Sequence, residues 1–181
     1  MSTTSPWKRA TAAESASVLP MMQDFCEQLH IPWIARERAE QVDWMAQHPE
    51  AGGVWVAWLP PAEAGEREAV APMPAQKPAL VPAGYFVVTF GFSFEFRGKY
   101  GLLDELYVSP AFRKHGLGRG ALDEYKAMAP GLGLRRLLIE VAVDSPHLAE
   151  YYTRHGFALR EYRLHTREVA PGNPPYPPAA K

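Results

Sequence analysis

A chain of 181 residues, 47% hydrophobic and 12% aromatic, can bury one complete core but not two comfortable ones. Its formal net charge of -1 supplies no global field for wrapping nucleic acid or lying on an anionic membrane, so any anion site must be local. The single cysteine, Cys26, excludes an internal disulfide framework and a cysteine-based zinc cluster, and within MMQDFCEQL it reads as helix core.

No basic start leads into an apolar run with a small-residue cleavage site, and no apolar run reaches about 18 residues. Neither secretion nor a membrane span is predicted, and a cytoplasmic protein is expected. Residues 1–6 read as disordered and WKRA as a short first strand. Thr11 and Glu14 have the form of a capping box opening a helix. Val18, Leu19, Met22, Phe25 and Leu29 recur at helical spacing, with Pro20 kinking or splitting that helix. A second helix spans about 36–47 and stops before His48-Pro49. GGVWVAWL (52–59) and AGYFVVTFGFSFEF (83–96) are strands by composition, the latter alternating through Phe90, Phe92, Phe94 and Phe96. Residues 60–82, rich in proline and alanine, read as a surface loop inside the hairpin these strands form.

A strand at 101–108, a helix at 116–128, a strand at 135–143 and a helix at 146–155 follow. Gly156-Phe157 opens a final strand pair, with YRLHTREV as its second member. The last residues, 171–181, read as a disordered proline-rich tail. The order predicts one domain over 7–170: a mixed α/β sheet of six or seven strands with about four helices.

Between the strand at 101–108 and the helix after it lies SPAFRKHGLGRGALDEY. The backbone N–H groups of Gly116, Leu117, Gly118 and Arg119 fall at the helix start, where they have no intrahelical partner and the dipole adds positive charge. A phosphate fits there. Glycines at 116, 118 and 120 would let an anion approach the backbone, with Arg113, Lys114 and Arg119 around it and His115 as a solvent-facing neighbour. A Walker loop is absent, and Gly116-x-Gly118-x-Gly120 has the wrong spacing for a dinucleotide fingerprint. The pattern present is Arg-x-x-Gly-x-Gly, residues 113–118.

LDELYVSPAFRKHGLGRGAL resembles the acyl-CoA signature of the GNAT superfamily of N-acetyltransferases, and IEVAVDSPHLAEYYTRHGF resembles that family's LEV...N..A..LY.K.GF segment. The resemblance covers about residues 7–170. It implies a sheet splayed between the strands at 101–108 and 135–143, with acetyl-CoA as co-substrate and no metal. The pantetheine arm would pair with backbone groups of Leu106 to Val108, including Tyr107, as an added strand does. The pyrophosphate would sit on the 114–119 backbone. Asp144-Ser145 stand where the family carries an asparagine, making Ser145 the candidate CoA contact there. The other histidines, 30, 48, 147, 155 and 165, show no metal-ligand spacing.

Acetyl transfer needs a neutral amine and a proton for the departing thiolate. By family analogy the acid is Tyr152, whose phenol remains protonated at neutral pH. The candidate bases are Asp104, Glu105 and Glu140. Strand alternation puts Asp104 and Glu105 on opposite faces, where they cannot share one role. Resemblance to polyamine and related amine acetyltransferases maps the base onto Asp104 and a substrate-contacting acid onto Glu105, and FGFSFEFRGKYG is similar to that group's preceding strand. Resemblance to ribosomal-protein N-terminal acetyltransferases favours Glu140 instead.

The acceptor is expected to be selected by residues 30–48, with Trp33, Trp44 and Phe92 as walls and Asp104 and Glu105 attracting a cation. A small cationic primary amine is therefore the expected partner. The alternatives are a protein N-terminal or lysine amine, or acyl-CoA binding without catalysis; a homodimer is compatible with the resemblance, and neither nucleic acid nor membrane is implied.

Overall fold

The computed structural model describes residues 5–61, 80–161 and 164–167. The predicted disordered tail, most of the predicted disordered start and the 62–79 stretch of the proline-rich loop lie outside them. Five strands form one sheet in chain order. Strands β1 (Trp7–Arg9), β2 (Gly52–Leu59), β3 (Val81–Ser93) and β4 (Gly98–Val108) are antiparallel neighbours, and β5 (Arg136–Ile139) joins β4 in parallel.

Helices cover both faces. On one, α1 (Leu19–Leu29) and α2 (Ala35–Gln47) bury Met21, Met22 and Val42 against Val54, Val56, Tyr85 and Tyr107. On the other, α3 (Leu117–Met128) buries Leu122 and Tyr125 against Trp55, Phe86, Val88 and Leu103. Double coverage explains why residues 52–57 of β2 are all buried and read as a continuous run rather than an alternation. A fourth helix, α4 (Pro146–Arg154), follows β5.

The Thr11–Glu14 pair forms half of the expected box. Thr11 N–H donates to Glu14 Oε2 at 2.9 Å, but the threonine hydroxyl donates to the same carboxylate at 2.8 Å instead of capping the chain. A 3-10 turn, Ser15–Val18, follows, and α1 starts behind it with Pro20 in its first turn, so the proline splits the predicted helix.

Three strand boundaries differ from expectation. First, β3 ends at Ser93 because residues 94–97 make the hairpin turn, with Arg97 in the left-handed region at φ 55°. Phe94, expected in the strand, is 92% exposed at that tip. Second, β5 has four residues rather than nine and ends where β4 kinks. Third, among the described residues no strand forms after Phe157 and the sheet has five strands, fewer than the six or seven expected. Leu159 and Leu164 are exposed, and residues 162–163 and 168–169 of the expected last strand lie outside the described residues.

Candidate active site

The sheet forks beside Asp104 and Glu105. Parallel pairing of β4 with β5 runs from Tyr100↔Arg136 to Leu103↔Ile139 and stops. From Asp104 to Val108 that side of β4 has no strand among the described residues, leaving an edge of about 3.3 Å per residue. Tyr125, wholly buried in α3, donates its hydroxyl to the Leu138 carbonyl at 3.3 Å and so holds the last paired turn of the fork. Gly101 makes room for it, since a Cβ there would lie 3.0 Å from that hydroxyl.

The kink is a β-bulge. Val87 pairs with Glu105 and Val88 with Leu103, so Asp104 is the extra residue on β4. The bulge overturns the expected alternation. Leu103 packs on the α3 side, whereas Asp104 and Glu105 both line one cavity on the α1–α2 side, since the inserted residue restarts the two-residue period. The two acids therefore share a site.

They are not equivalent within it. Glu105 is 7% exposed and fully engaged: Arg38 Nη1 donates to its Oε1 at 2.8 Å and the Tyr85 hydroxyl to its Oε2 at 2.8 Å. Arg38 also donates to Cys26 Sγ at 3.4 Å, which gives the buried cysteine a polar partner. Burial opposes the Arg38 charge, but Glu105 and Cys26 more than offset that and hold its pKa above the ordinary value. Burial, then the Glu105 carboxylate, pushes the Tyr85 phenol far up, so it remains a donor. Asp104 is open to the cavity and has no hydrogen-bond partner among the described residues. Its surroundings raise its pKa by desolvation, and Arg38 pulls it partway back.

The cavity, about 600 Å³, lies between α1, α2 and the sheet. Its walls include Phe25, Ile31, Ile34, Val42 and Trp44 besides the acids. Residues 30–48 were expected to shape it; Arg38, Phe25 and Tyr85 were not singled out as part of it, and only the tertiary contact to Glu105 reveals the first and last. Two expected walls lie elsewhere. Trp33, half-buried, packs against the core cluster on the α1–α2 side, and Phe92 pairs with Lys99 near the hairpin tip, five residues from Asp104 along β4 and hence about 17 Å away.

At the other end of β4, the glycine-rich turn leads into α3. Lys114 (φ 66°) and Gly116 (φ 80°) are left-handed, and a Cβ at 116 would meet open space, so the N-cap of α3 presents bare backbone. At Gly118 a Cβ would stand 3.8 Å from the Tyr151 hydroxyl of α4. Gly120 does not belong to this cradle: its N–H closes the first turn on the Gly116 carbonyl at 2.9 Å, and a Cβ would press on the Trp7 indole. The cations are exposed, but not equally free. Arg113 donates from Nε to the Val108 carbonyl at 2.8 Å and from Nη2 to Gln28 at 3.3 Å, lying over the Tyr107 ring. Arg119 lies 3.7 Å from Asp123, which Lys126 also meets at 2.9 Å. Lys114 and His115 are exposed.

Against this geometry, the sequence model of the acetyltransferase (GNAT) family matches residues 18–157. The chain belongs to the GNAT acetyltransferase family. No curated protein matches it. Solved structures share the fold. Integron cassette protein HFX_CASS3, from the mobile metagenome of Cole Harbour Salt Marsh, superposes with a TM-score of 0.70 at 24% identity, covering 92% of each chain. A ribosomal-protein-alanine N-acetyltransferase from Brucella melitensis gives 0.64 at 12% identity over 91% of this chain and 98% of its own. An aminoglycoside N-acetyltransferase, AAC(6')-Iy, in complex with CoA gives 0.67 at 9% identity over 91% and 94%. At these identities the likeness is one of fold.

This GNAT chain is thus an acyltransferase of a family whose donor is acetyl-CoA. Its remaining candidate residues lie around the fork. Tyr152 packs from α4 onto the α3-side core, edge-on to Phe157 at 6.4 Å, which stacks in turn on Tyr125. Burial, then Tyr151, raises the Tyr152 phenol above its ordinary pKa. Tyr107 is committed on its side-chain end, donating to Asp24 Oδ2 at 3.1 Å, so only its backbone is available at the β4 edge. Leu106 and Val108 pack toward the α3 side. Ser145 is the N-cap residue of α4, with no side-chain cap bond. Glu140 stands exposed one residue beyond β5, outside the strand it was expected to occupy.

Proposed function

We propose that this GNAT protein transfers the acetyl group of acetyl-CoA to a primary amine of a small cationic molecule, by direct attack in a ternary complex. The observation that carries the reading is Asp104: an unpaired carboxylate on a bulge, opening into a cavity at the point where β4 and β5 part. An ammonium would be drawn to it, and its raised pKa makes it a better proton acceptor than an ordinary aspartate.

The turn fits the donor's pyrophosphate. The first N–H groups of α3, at 116–119, have no intrahelical acceptor, open space lies over Gly116, and Lys114, His115 and Arg119 surround it. The pantetheine arm would lie along the 106–108 edge, where the Val108 carbonyl shares its capacity with Arg113. Bound acetyl-CoA supplies an activated acyl carbon. The chain's own groups manage protons. Asp104, directly or through one water, takes a proton from the ammonium and passes it to solvent; the freed lone pair forms the C–N bond as the C–S bond breaks. Tyr152 gives its proton to the departing sulfur and is reprotonated by the second proton that the acylated nitrogen loses. The products are an N-acetyl amine and CoA, with one net proton released to solvent.

Glu105 does not serve as base in this reading, because both of its oxygens are engaged. It orients Arg38 and Tyr85 behind Asp104. The test is release of CoA thiol on a panel of amines and peptides, with acetylated product identified by mass. An unchanged rate in Tyr152→Phe would remove Tyr152 from its role, and retained turnover in Asp104→Asn with loss in Glu140→Gln would move the base to Glu140.

A further inference from the structure

Resting on the reading that this is an amine acetyltransferase, we infer that its acceptor is a hydrophobic monoamine, one primary ammonium on an aliphatic or aromatic body, with its nitrogen at Asp104 and its body against Leu29, Ile31 and Ile34. Among the described residues four charged side chains line the cavity: Glu37, Arg38, Asp104 and Glu105. Arg38 and Glu105 neutralise each other at 2.8 Å. Glu37 is exposed in the first turn of α2, hydrated at the mouth. Among the described residues two of these carboxylates then lack an ion-pair partner, Glu37 and Asp104, both exposed. The helix dipole offsets the charge of Glu37 in that first turn, which leaves Asp104 at the fork as the carboxylate for one cation.

The rest of the lining is mainly apolar. A second ammonium reaching past Asp104 would lie against Met22, Phe25 and Val42 without a partner, and burying an unpaired charge is strongly unfavourable. The mouth points the same way. Leu29, Ile31 and Ile34 are 56%, 39% and 50% exposed, large aliphatic side chains left in water within six residues of chain, all lining the same cavity. Such a cluster at a concave opening marks a surface that an apolar ligand covers. A volume of about 600 Å³ is ample for an arylalkyl body. A polyamine or aminoglycoside would match neither this charge count nor the aliphatic rim.

Thiol release by the full-length protein at saturating acetyl-CoA compares 2-phenylethylamine, putrescine, kanamycin and an alanine-led peptide. The expected result is a kcat/KM for 2-phenylethylamine at least about tenfold above each of the others. Ile34 is the N-cap residue of α2, a position that favours aspartate, so Ile34→Asp retains the fold while placing a carboxylate in the rim. That variant should lower kcat/KM for 2-phenylethylamine about tenfold through KM, leave the KM for acetyl-CoA unchanged, and not impair putrescine. Preference for putrescine, kanamycin or the peptide, or an unaltered selectivity in Ile34→Asp, overturns the inference. If no amine is acetylated, the amine acetyltransferase reading fails, and the inference is then decided by calorimetric binding. Tighter binding of 2-phenylethylamine than of putrescine supports it; equal or weaker binding overturns it.

Discussion

Replacing Arg38 with methionine should destabilise the protein through Glu105 rather than through lost packing. Methionine restores most of the aliphatic stem but strands a carboxylate that is 7% exposed, leaving the Tyr85 hydroxyl as its one donor. Removing one partner of a buried ion pair costs about 3–5 kcal/mol. The Arg38 side chain is 21% exposed, so water reaches part of the site and the lower end, about 3 kcal/mol, applies. For a domain of this size that corresponds to a Tm lower by roughly 6–12 °C. Thermal and urea unfolding followed by circular dichroism would measure it. Adding Glu105→Gln removes the stranded charge yet retains an acceptor for Tyr85, so the double variant should recover most of the loss. An Arg38→Met protein within about 1 kcal/mol of the parent, or a double variant no more stable than the single, would refute the account of the network.

The other predictions concern the reaction and the fork. Asp104→Asn should lower kcat by about 10²–10⁴-fold, and the parent's rate should fall with decreasing pH through an apparent pKa above the ordinary aspartate range. The same substitution should raise Tm near pH 8: a carboxyl whose folded pKa is raised favours the protonated fold, so its ionisation costs stability above that pKa and nothing below the unfolded value. The gain should vanish near pH 3. Gly118→Glu should weaken acetyl-CoA binding at least about tenfold in a calorimetric titration, since its side chain, with Cβ 3.8 Å from the Tyr151 hydroxyl, would bring a negative charge to the amides that would hold the pyrophosphate. Gly101→Ala should cost about 1–3 kcal/mol in urea unfolding, because its methyl would crowd the Tyr125 hydroxyl and Leu134 at 3.0 and 3.1 Å.

Much of the frame was legible in the chain because it rests on local signals. The boundaries of β2 match the apolar run 52–59, α3 starts one residue past Gly116, and α4 begins at Pro146 as its fixed φ requires. The glycine-rich turn was readable for the same reason: its glycines and helix-start amides are properties of one short stretch. What failed depends on partners distant in sequence. Nothing in LLDELYV announces that Asp104 is an inserted residue; the bulge exists only relative to Val87 and Val88 on β3, and without it Asp104 and Glu105 read as opposite-facing. Arg38 is a helix cation until it meets Glu105, 67 residues away, and that contact decides which acid is free. Phe92 reads as a pocket wall because its strand is aromatic, yet the turn at 94–97 carries it to the far end of the sheet. In the expected last strands the described leucines, Leu159 and Leu164, are exposed.

The most direct test of the central claim is the stoichiometry of one reaction: the protein with acetyl-CoA and an accepted amine, CoA thiol followed by a chromogenic disulfide and acetylated amine by mass spectrometry. One N-acetyl product should appear for each thiol released, with both lost together in Asp104→Asn. Thiol release without acetylated amine, or acetyl-CoA binding with no product on any amine, would contradict it.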